Sequence, residues 1–447
     1  MTQALHLTPP AAPLPMPTQV LSRQPGRRFA SQDSSPLMAR LLVFGGSLAL
    51  LMVASYQMYL TLPLNEATLA AGVVSPWMMG SLWLLLALFS ITFGWVALTA
   101  MAALAGFLYG QDRYRAAPDA ALQSKTVLLM PVYNEDPVSA AGALAAMAEE
   151  LGDLGVAEHF EIFVLSDTVN PDILSSEAAA VACLRERLAG IMPVWYRRRQ
   201  QNTARKAGNI RDFVSRWGER YDYMVVLDAD SLMAGSTLAT LVREMDADPR
   251  AGILQTLPRL YGGETLYARL QQFAGVIYGP VFARGLNAWQ GLDGNYWGHN
   301  AILRVRAMAE SAGLPRMPGP GPFGGEILSH DFVEAALIRR AGWTVRMLPG
   351  LPGSWEECPP TLLDAAVRDR RWAQGNVQHL AVIRAQGLRW PNRAHMLMGI
   401  MNYVTSPIWL ALVVVGLLLS TQLYQPSELL FDAESMLGVF LVTMLLL

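Results

Sequence analysis

The stretch VVLDADSLM, residues 225–233, is an apolar run that stops at two aspartates, Asp228 and Asp230. Its β-branched residues predict a buried strand that ends where the carboxylates begin. An isolated Asp-x-Asp is typical of a surface turn, because aspartate favours turns. The rest of the sequence must therefore decide whether these side chains form a turn or a binding site.

Similar apolar runs alternate with helical stretches along the chain. They read TVLLMPVYNED from residue 126, FEIFVLSDTVNP from 160, PVWYRR from 193 and YDYMVVLDAD from 221. Strands that alternate with helices predict an α/β domain with a mostly parallel, Rossmann-like sheet and helices on both faces. In such sheets ligands bind at the carboxyl ends of the strands.

Acidic and amide side chains follow three of these runs, where the strands are expected to end. They are Asn134, Glu135, Asp136, Asp167, Asp228 and Asp230. Turn chemistry explains one such residue after each strand, but acids gathered at one sheet edge repel one another. A bound metal ion or a cationic partner is the simplest explanation, and Asp228 and Asp230 are the predicted ligands of Mg²⁺.

Basic residues that could bind a diphosphate begin at the end of the third run and continue toward the fourth. The segment YRRRQQNTARKAGN supplies Arg197, Arg198, Arg199, Arg205 and Lys206. A solvated surface is the alternative interpretation of Arg198 and Arg199. The chain has no Gly-x-x-x-x-Gly-Lys-Ser/Thr loop, so a P-loop phosphate site is excluded.

A second acidic candidate lies in GGEILSHDFVEAALIRRAG, residues 324–342. The pattern predicts a helix with Ser329 as its N-cap and Gly342 after its end, which places Asp331 in the first turn. An acid at this position either complements the helix dipole or acts as a base. The helix N-terminus lowers a carboxyl pKa and burial raises it, so the sequence leaves both interpretations open.

A basic and aromatic helix is predicted by PPTLLDAAVRDRRWAQGN, residues 359–376, with a capping pattern at Thr361 and Asp364. Arg368, Arg371 and Trp372 are spaced to share one face of this helix. Guanidinium groups bind phosphate oxygens and an indole covers the apolar face of a sugar ring. A membrane-proximal basic helix is the alternative. The segment GNYWGHNAILR, residues 294–304, adds Trp297 and His299 as groups of the same kind.

Hydrophobic residues make up 52% of the chain and charged residues 16%, a more apolar balance than the roughly 45–50% and 25% of soluble domains. Three uncharged stretches, 41–60, 81–108 and 396–420, are predicted transmembrane helices. A fourth apolar run, 436–447, is too short to span, which suggests a longer protein. The distribution of Lys and Arg predicts a cytoplasmic N-terminus and a cytoplasmic region 111–394, with residues 61–80 outside.

The predicted organisation has four parts. Residues 1–36 form a disordered cytoplasmic tail, 37–110 two transmembrane helices, 111–394 the cytoplasmic α/β domain, and 395–447 further transmembrane helices, of which the last is truncated. The net charge of −2 gives no sign of a nucleic-acid surface.

The motifs MPVYNED, LSDT, RKAGN, DAD, GHNAILR, SHD and RDRRW, in this order and between membrane spans, resemble the inverting family-2 glycosyltransferases. That family includes cellulose and hyaluronan synthases, and within it the pattern is most similar to inner-membrane transferases that build osmoregulated periplasmic glucans. The resemblance implies a glycosyltransferase A-type fold, UDP-glucose as donor, Mg²⁺ or Mn²⁺, and a growing glucan acceptor. Acyl carrier protein and a periplasmic glucan-processing protein are implied as partners by the resemblance only.

The resemblance also implies roles for individual residues. Asp331 is the general base and Asp228 and Asp230 hold the metal and the nucleotide. The implied donor site further includes Asp167, Lys206, Arg368, Arg371 and Trp372, and the implied acceptor site includes Trp297, His299 and Trp372.

Two departures from the cellulose-synthase motifs limit which properties of those enzymes can be expected of this chain. Cellulose-synthase types have Thr-Glu-Asp where this chain has Ser329, His330 and Asp331, and Gln-x-x-Arg-Trp where it has Arg368 to Trp372. A synthase with another sugar or linkage, a degenerate transferase that only senses a UDP-sugar, and a transporter or structural membrane protein with a regulatory domain are the alternatives. The retained acids and the Arg-Trp pair argue against the last two.

Overall fold

The computed structural model describes residues 7–26, 29, 36–64 and 75–423. The chain divides into two compact units. The first unit contains Met1–Ser34, Gln111–Ala283 and Gln290–Leu397, and the second contains Ser35–Gly110, Arg284–Trp289 and Met398–Leu447.

The helices, in chain order, are α1 (Leu37–Thr61, π-helical over Leu41–Gly45), α2 (Pro76–Tyr109), α3 (Pro137–Asp153), α4 (Pro171–Arg187), α5 (Arg205–Trp217), α6 (Gly235–Ala247), α7 (Leu266–Gln290), α8 (Val305–Ser311), α9 (His330–Arg340), α10 (Leu362–Val382) and α11 (Trp390–Leu423). The strands are β1 (Thr126–Val132), β2 (Phe160–Ser166), β3 (Val194–Arg198), β4 (Tyr223–Val226), β5 (Leu232–Met233), β6 (Ala251–Thr256), β7 (Arg259–Tyr261), β8 (Ala301–Arg304), β9 (Thr344–Leu348) and β10 (Ser354–Glu357).

The first unit is built on a sheet with the order β3-β2-β1-β4-β8-β6-β9 among the described strands. β8 is antiparallel to both its neighbours, and the other pairs are parallel. The predicted mostly parallel α/β fold is therefore confirmed. The carboxyl ends of β1, β2 and β4 meet at one edge, which gathers the polar residues that follow these strands.

Alternate residues of β1 supply the two cores on either side of this sheet. Leu128 and Met130 pack with residues of α3, α4 and α6, whereas Val127 and Leu129 pack with residues of α5, α8 and α9. Because both faces are covered, the strand is a continuous apolar run rather than an alternating one.

A small second sheet has the order β5-β10-β7. β5 starts two residues after Asp230, and β10 pairs with it antiparallel through Ser354 and Trp355. This pairing brings the β10 residue Glu356 close enough to Asp230 to raise its pKa electrostatically. The small sheet thus adds an acid from more than a hundred residues further along the chain.

An extended N-terminal segment, residues 7–26, lies along the first unit and is called the N-terminal strap below. The Leu7 carbonyl accepts a hydrogen bond from the Tyr196 amide at 3.0 Å, and the Pro9 carbonyl accepts one from Trp217 Nε1 at 3.1 Å. Met16 is buried in the core beside α5 and α8. The disorder predicted for residues 1–36 is therefore wrong for the strap, because grooves of the folded domain supply partners that composition cannot reveal.

The second unit contains helices long and apolar enough to cross a membrane. α1 and α2 include the predicted spans 41–60 and 81–108, and α11 includes the span 396–420. α1 and α2 pack through Ala54, Phe93 and Ala97. The fourth apolar run, 436–447, lies outside the described residues.

Candidate functional site

The two aspartates that follow β4 lie at the carboxyl edge of the main sheet. The Asp228 amide donates to Ser231 Oγ at 2.9 Å, which closes the turn after the strand. The Asp228 side chain keeps 41% of its surface exposed in the cleft above the sheet. Burial alone would raise its pKa, but Lys206 and His299 lower it. Burial and the charge of Asp228 raise the pKa of Asp230 to about 6.

Lys206 reaches this pair from the first turn of α5. Its Nζ forms an ion pair with Asp228 Oδ1 and donates to the Gly298 carbonyl at 2.8 Å. The two residues before it, Ala204 and Arg205, have left-handed backbone conformations with φ of 56° and 50°. This strained entry into the helix directs Lys206 toward the strand ends.

The loop between α7 and β8 is held in a fixed shape beside Lys206. Asn300 is buried with φ 49°, and its neighbours are held by the Gln255 side chain. Gln255 Oε1 accepts from the Trp297 amide at 2.8 Å, and Gln255 Nε2 donates to the His299 carbonyl at 3.0 Å. The loop therefore presents the Gly298 carbonyl and the His299 ring at fixed positions.

His299 lies between the aspartate pair and the small sheet. Its Nε2 is 3.1 Å from Glu356 Oε2. Burial would lower the pKa of His299, but Asp228 and Glu356 raise it to about 9. Both neighbours are acids and favour the protonated ring, whose charge would offset part of theirs.

Asp331 occupies the first turn of α9, as the sequence predicts, and Gly342 follows the helix end with φ 102°. Ser329 is the N-cap residue but makes no side-chain capping bond. A Cβ placed on Gly298 would lie 3.5 Å from Asp331 Oδ2, so the carboxylate faces the loop that also binds Lys206. Burial raises the pKa of Asp331, and the charge of Glu334 adds to this, whereas His330 opposes it.

The predicted basic and aromatic helix, α10, packs against the start of α9. Its Gly375 lies against Ser329, with no space for a side chain, and His379 Nε2 is 3.0 Å from the Ser329 carbonyl. The Arg368 guanidinium lies 4.3 Å from the centre of the Trp372 ring, which is 40% exposed. Arg371 is exposed on the same helix.

The capping pattern at the start of α10 is confirmed. Thr361 Oγ1 accepts from the Asp364 amide at 3.2 Å. This cap fixes the start of the helix two turns before the Arg368–Trp372 pair.

Several of the acidic and basic residues that the sequence proposed for the site have partners within the fold. Asp167 is buried and forms a two-point contact with Arg199, at 2.7 and 2.5 Å. Arg199 is thus no solvated surface residue. Asp136 is the N-cap of α3, and Arg197 is buried against Asp212. Asp136 and Arg197 contribute to the fold, because their charged atoms bind partners within the protein.

Three polar residues beside the site were not predicted from the sequence as site residues. They are His330, Glu334 and Glu356. The i, i+4 spacing of His330 and Glu334 on a helix that carries Asp331 was the available signal. No sequence pattern places Glu356 in the site, because its proximity to Asp230 depends on the pairing of β10 with β5.

The sequence comparisons agree with this arrangement. A profile of the glycosyl transferase family group 2 matches residues 223–447, and a profile of glycosyl transferase family 2 matches residues 127–311. The chain belongs to glycosyltransferase family group 2. The two matches together cover the sheet, the aspartate pair, Asp331 and α10.

Relatives within the curated proteins share one description. A protein of Shewanella baltica (strain OS155 / ATCC BAA-1091), described as glucans biosynthesis glucosyltransferase H, is 46% identical over 98% of this chain and 61% of its own length. One of Shewanella oneidensis with the same description is 45% identical over 98% and 62%. The chain thus spans about three fifths of the length of the curated relatives it matches.

A solved structure supports the fold. The mannosyltransferase PcManGT from Pyrobaculum calidifontis, in complex with GDP-Man and Mn²⁺, aligns with a TM-score of 0.53 and 17% identity, covering 81% of this chain and 92% of its own. At this identity the likeness extends to the glycosyltransferase A-type fold and no further.

The side chains of this family-2 domain fit a divalent cation held in part by substrate. Asp230 has a raised pKa because Asp228 and burial both disfavour its charge, and a cation would relieve this. Among the described residues, no three His, Cys, Asp or Glu side chains form a complete metal cage. Two carboxylates would suit a divalent cation that completes its shell with water and phosphate oxygens.

Proposed function

We propose that this chain is the catalytic part of a membrane-embedded glucosyltransferase that uses UDP-glucose to build the β-glucan backbone of osmoregulated periplasmic glucans. The observation that carries this proposal is the convergence of Asp228, Lys206, Gly298 and Asp331 at the carboxyl edge of the sheet. The shared description of the curated relatives supports glucose as the sugar and a glucan as the product.

Transfer proceeds by a single displacement that inverts the anomeric carbon. The acceptor hydroxyl oxygen forms a bond to that carbon as the bond to the diphosphate oxygen breaks, and Asp331 takes the hydroxyl proton. The raised pKa of Asp331, caused first by burial, brings this carboxylate closer to the proton affinity that a base needs near neutral pH. UDP leaves with the electron pair of the broken bond.

The donor is bound at the strand ends. Asp228 and Asp230 would hold Mg²⁺ or Mn²⁺, and the ion would supply positive charge to the departing diphosphate. Lys206 lies beside the same diphosphate, and Asp167 is assigned to the uridine. Arg368, Arg371 and Trp372 cover the donor from α10.

The acceptor glucan enters from the side of the 296–300 loop. Trp297 and Trp372 offer aromatic faces for its terminal sugar, and His299 offers a ring N–H to a hydroxyl. Since His299 Nε2 already contacts Glu356, this bond forms only when the acceptor displaces or shares that contact.

The test is transfer by purified protein in lipid, with labelled UDP-glucose and either Mg²⁺, Mn²⁺ or a chelator. We expect metal-dependent incorporation into a β-glucan, and no incorporation from UDP-N-acetylglucosamine or GDP-mannose. Incorporation of another sugar would assign the chain to a different synthase class. UDP-glucose binding with no transfer by the full-length protein would assign it to a sensor.

We further propose an inner-membrane location with residues 111–394 and the N-terminus cytoplasmic and residues 61–80 periplasmic. The Lys and Arg distribution and the apolar helices α1, α2 and α11 support this. Strong labelling of a Ser215→Cys variant by an impermeant thiol reagent in intact cells would refute this orientation. Acyl carrier protein and a periplasmic glucan-processing protein remain proposed partners, to be tested by co-purification.

A further inference from the structure

A buried ion pair lies next to the proposed base and has no part in the mechanism above. His330 Nδ1 is 3.2 Å from Glu334 Oε1, one turn along α9. The side chain of Glu334 is 1% exposed and that of His330 is 13% exposed. Glu334 is therefore buried, and of the two side chains only the histidine keeps exposed surface.

This pair is costly for the fold. Burying two charges loses more hydration energy than their attraction commonly returns, so such a pair is weak evidence of a stabilising role. Glu334 Oε2 is also buried and has no hydrogen-bond partner among the described residues. A carboxylate in this position is better explained by what it does to His330 than by its contribution to stability.

The charges around His330 are those of the proposed donor site. Glu334 and Asp331 on α9 favour its charged form, and Lys206 on α5 opposes it. His330 in turn favours the ionised form of Asp228, which follows β4. Within the described part of the chain, His330 Nδ1 has only the charge contact with Glu334, Nε2 makes no hydrogen bond, and the side chain keeps 13% of its surface exposed.

A donor diphosphate brings additional negative charge into a cleft that already holds Asp228, Asp230 and Asp331. Lys206 is largely used by its ion pair with Asp228 and by the Gly298 carbonyl. Besides His299 and the proposed metal ion, a fixed cation beside Asp331 would lessen the repulsion between the diphosphate and the proposed base.

We propose that His330 binds the diphosphate of the nucleotide-sugar donor through its free ring N–H, and that Glu334 is a positioning residue that orients and charges this ring. The inference rests on the proposed function, because it requires a nucleotide-sugar donor. A sugar hydroxyl is the weaker candidate for the same N–H, because a neutral ligand needs no buried counter-charge behind the histidine.

The experiment compares the binding of UDP, UMP and uridine to the full chain in lipid nanodiscs by titration calorimetry at fixed Mg²⁺. We expect His330→Gln to weaken UDP binding about tenfold to a hundredfold, the range of a lost bond to a charged group, and to change uridine binding less than about threefold. Glu334→Gln is also expected to weaken UDP binding. Glu334→Asp, which keeps the charge, is expected to restore part of the lost affinity.

His159→Gln is the matched control. His159 also lies beside a glutamate, Glu158, but it precedes β2 at the opposite end of the sheet from the site. We expect this variant to bind all three ligands as the wild type does.

Each outcome is decisive. If wild-type protein binds none of the three ligands, the proposed function fails. If it binds UDP but His330→Gln has the same ratio of UDP to uridine affinity, the role of His330 is refuted while the proposed function stands. A loss of uridine and UDP binding by equal factors would also refute it, because the substitution would then disturb the whole site rather than the diphosphate.

Discussion

Gly298 faces Asp331 so closely that a methyl group on its Cα would lie 3.5 Å from the carboxylate Oδ2. The carbonyl of the same glycine accepts the hydrogen bond of Lys206 Nζ at 2.8 Å. One residue therefore separates the proposed base from the cation beside the aspartate pair. A side chain at this position would fill space directly beside Asp331, the proposed base.

We predict that Gly298→Ala reduces transfer at least tenfold and raises the KM for acceptor more than for UDP-glucose. The substitution also strains a backbone with φ 92°, which costs stability by itself. Gly190→Ala is the control for strain, since Gly190 has φ 85° and open space around its Cα. Equal losses of activity in the two variants would show that strain, not crowding at Asp331, explains the effect.

Substitution of Asp331 distinguishes a catalytic base from a helix-dipole acid, because the first role affects turnover and the second affects stability. Asp331→Asn keeps the side-chain shape but cannot accept a proton, so turnover should fall by roughly 10²–10⁴ while UDP-glucose binding changes little. If Asp331 only complements the dipole of α9, the substitution costs about 0.3–1 kcal/mol of stability and turnover stays near normal.

Asp172→Asn supplies the comparison for Asp331→Asn, because Asp172 is an exposed acid in the first turn of α4. We expect it to change the melting temperature slightly and the rate not at all. Rate and melting temperature measured on both purified variants separate a base from a helix-dipole acid.

Asp230 is predicted to link metal and nucleotide binding. Asp230→Asn removes a proposed metal ligand, so UDP affinity should lose its dependence on Mg²⁺ or Mn²⁺ and transfer should be abolished. Asp222→Asn is the control at the other end of β4, where Asp222 accepts a hydrogen bond from the Lys125 amide at 2.9 Å. Metal-dependent UDP affinity that survives in Asp230→Asn would refute the metal assignment.

Glu161 lies at the opposite edge of the sheet, and its pKa is lowered, whereas the pKa values of Asp230 and Asp331 are raised. Glu161 is buried and accepts hydrogen bonds from Lys125, Trp195, Arg220 and Tyr221 at 2.6–3.0 Å. Burial alone would raise its pKa, but these donors lower it to about 2 from 4.5. Because the folded-state pKa lies below the unfolded value, the stabilisation is fully present above about pH 4.5 and is lost as the pH falls toward 2.

Glu161→Gln should therefore destabilise the protein at pH 7 by about 3 kcal/mol, the cost of breaking a buried pair, and should flatten the acid side of the stability curve. Thermal unfolding between pH 3 and 7 measures this. Glu149→Gln removes the exposed partner of Arg187 and is expected to leave that curve unchanged. An unaltered slope in Glu161→Gln would mean that other groups dominate acid unfolding.

The sheet was predictable where a strand is buried on both faces. β1 to β4 each leave a run of apolar residues in the sequence, and their polar ends then fall at one edge by topology alone. β5 has two residues and β7 three, too few for any period to be recognised. Glu356 could not be placed for this reason, since its strand, β10, pairs with these two.

Within the candidate site, the sequence predicted which acids lie at the strand ends but not which cationic side chains pair with them. The pairing of Asp167 with Arg199 and of Asp228 with Lys206 joins residues 32 and 22 positions apart. Such pairs depend on strand order, which motif spacing does not contain. Asp136 was grouped with the site acids because an N-cap and a ligand have the same residue type at a strand end.

The N-terminal strap is the element for which composition was most misleading, and it gives the last prediction. Its Gln19 amide donates to the Gly313 carbonyl at 2.7 Å, and a Cβ on Gly313 would collide with the Pro17 carbonyl oxygen. Gly313→Ala should therefore cost about 1–3 kcal/mol, as overpacking does. Gly142→Ala, in the open interior of α3, should instead stabilise the protein by about 0.5–1 kcal/mol.

A double-mutant comparison assigns the Gly313 effect to the strap. In a chain that lacks residues 2–26, the Pro17 carbonyl is gone, so Gly313→Ala should change the melting temperature by less than the experimental error. The Gly142→Ala effect should persist in that shorter chain, because α3 does not depend on the strap. If Gly313→Ala destabilises both chains equally, the strap does not contact Gly313 in solution, and residues 7–26 are disordered as their composition predicts.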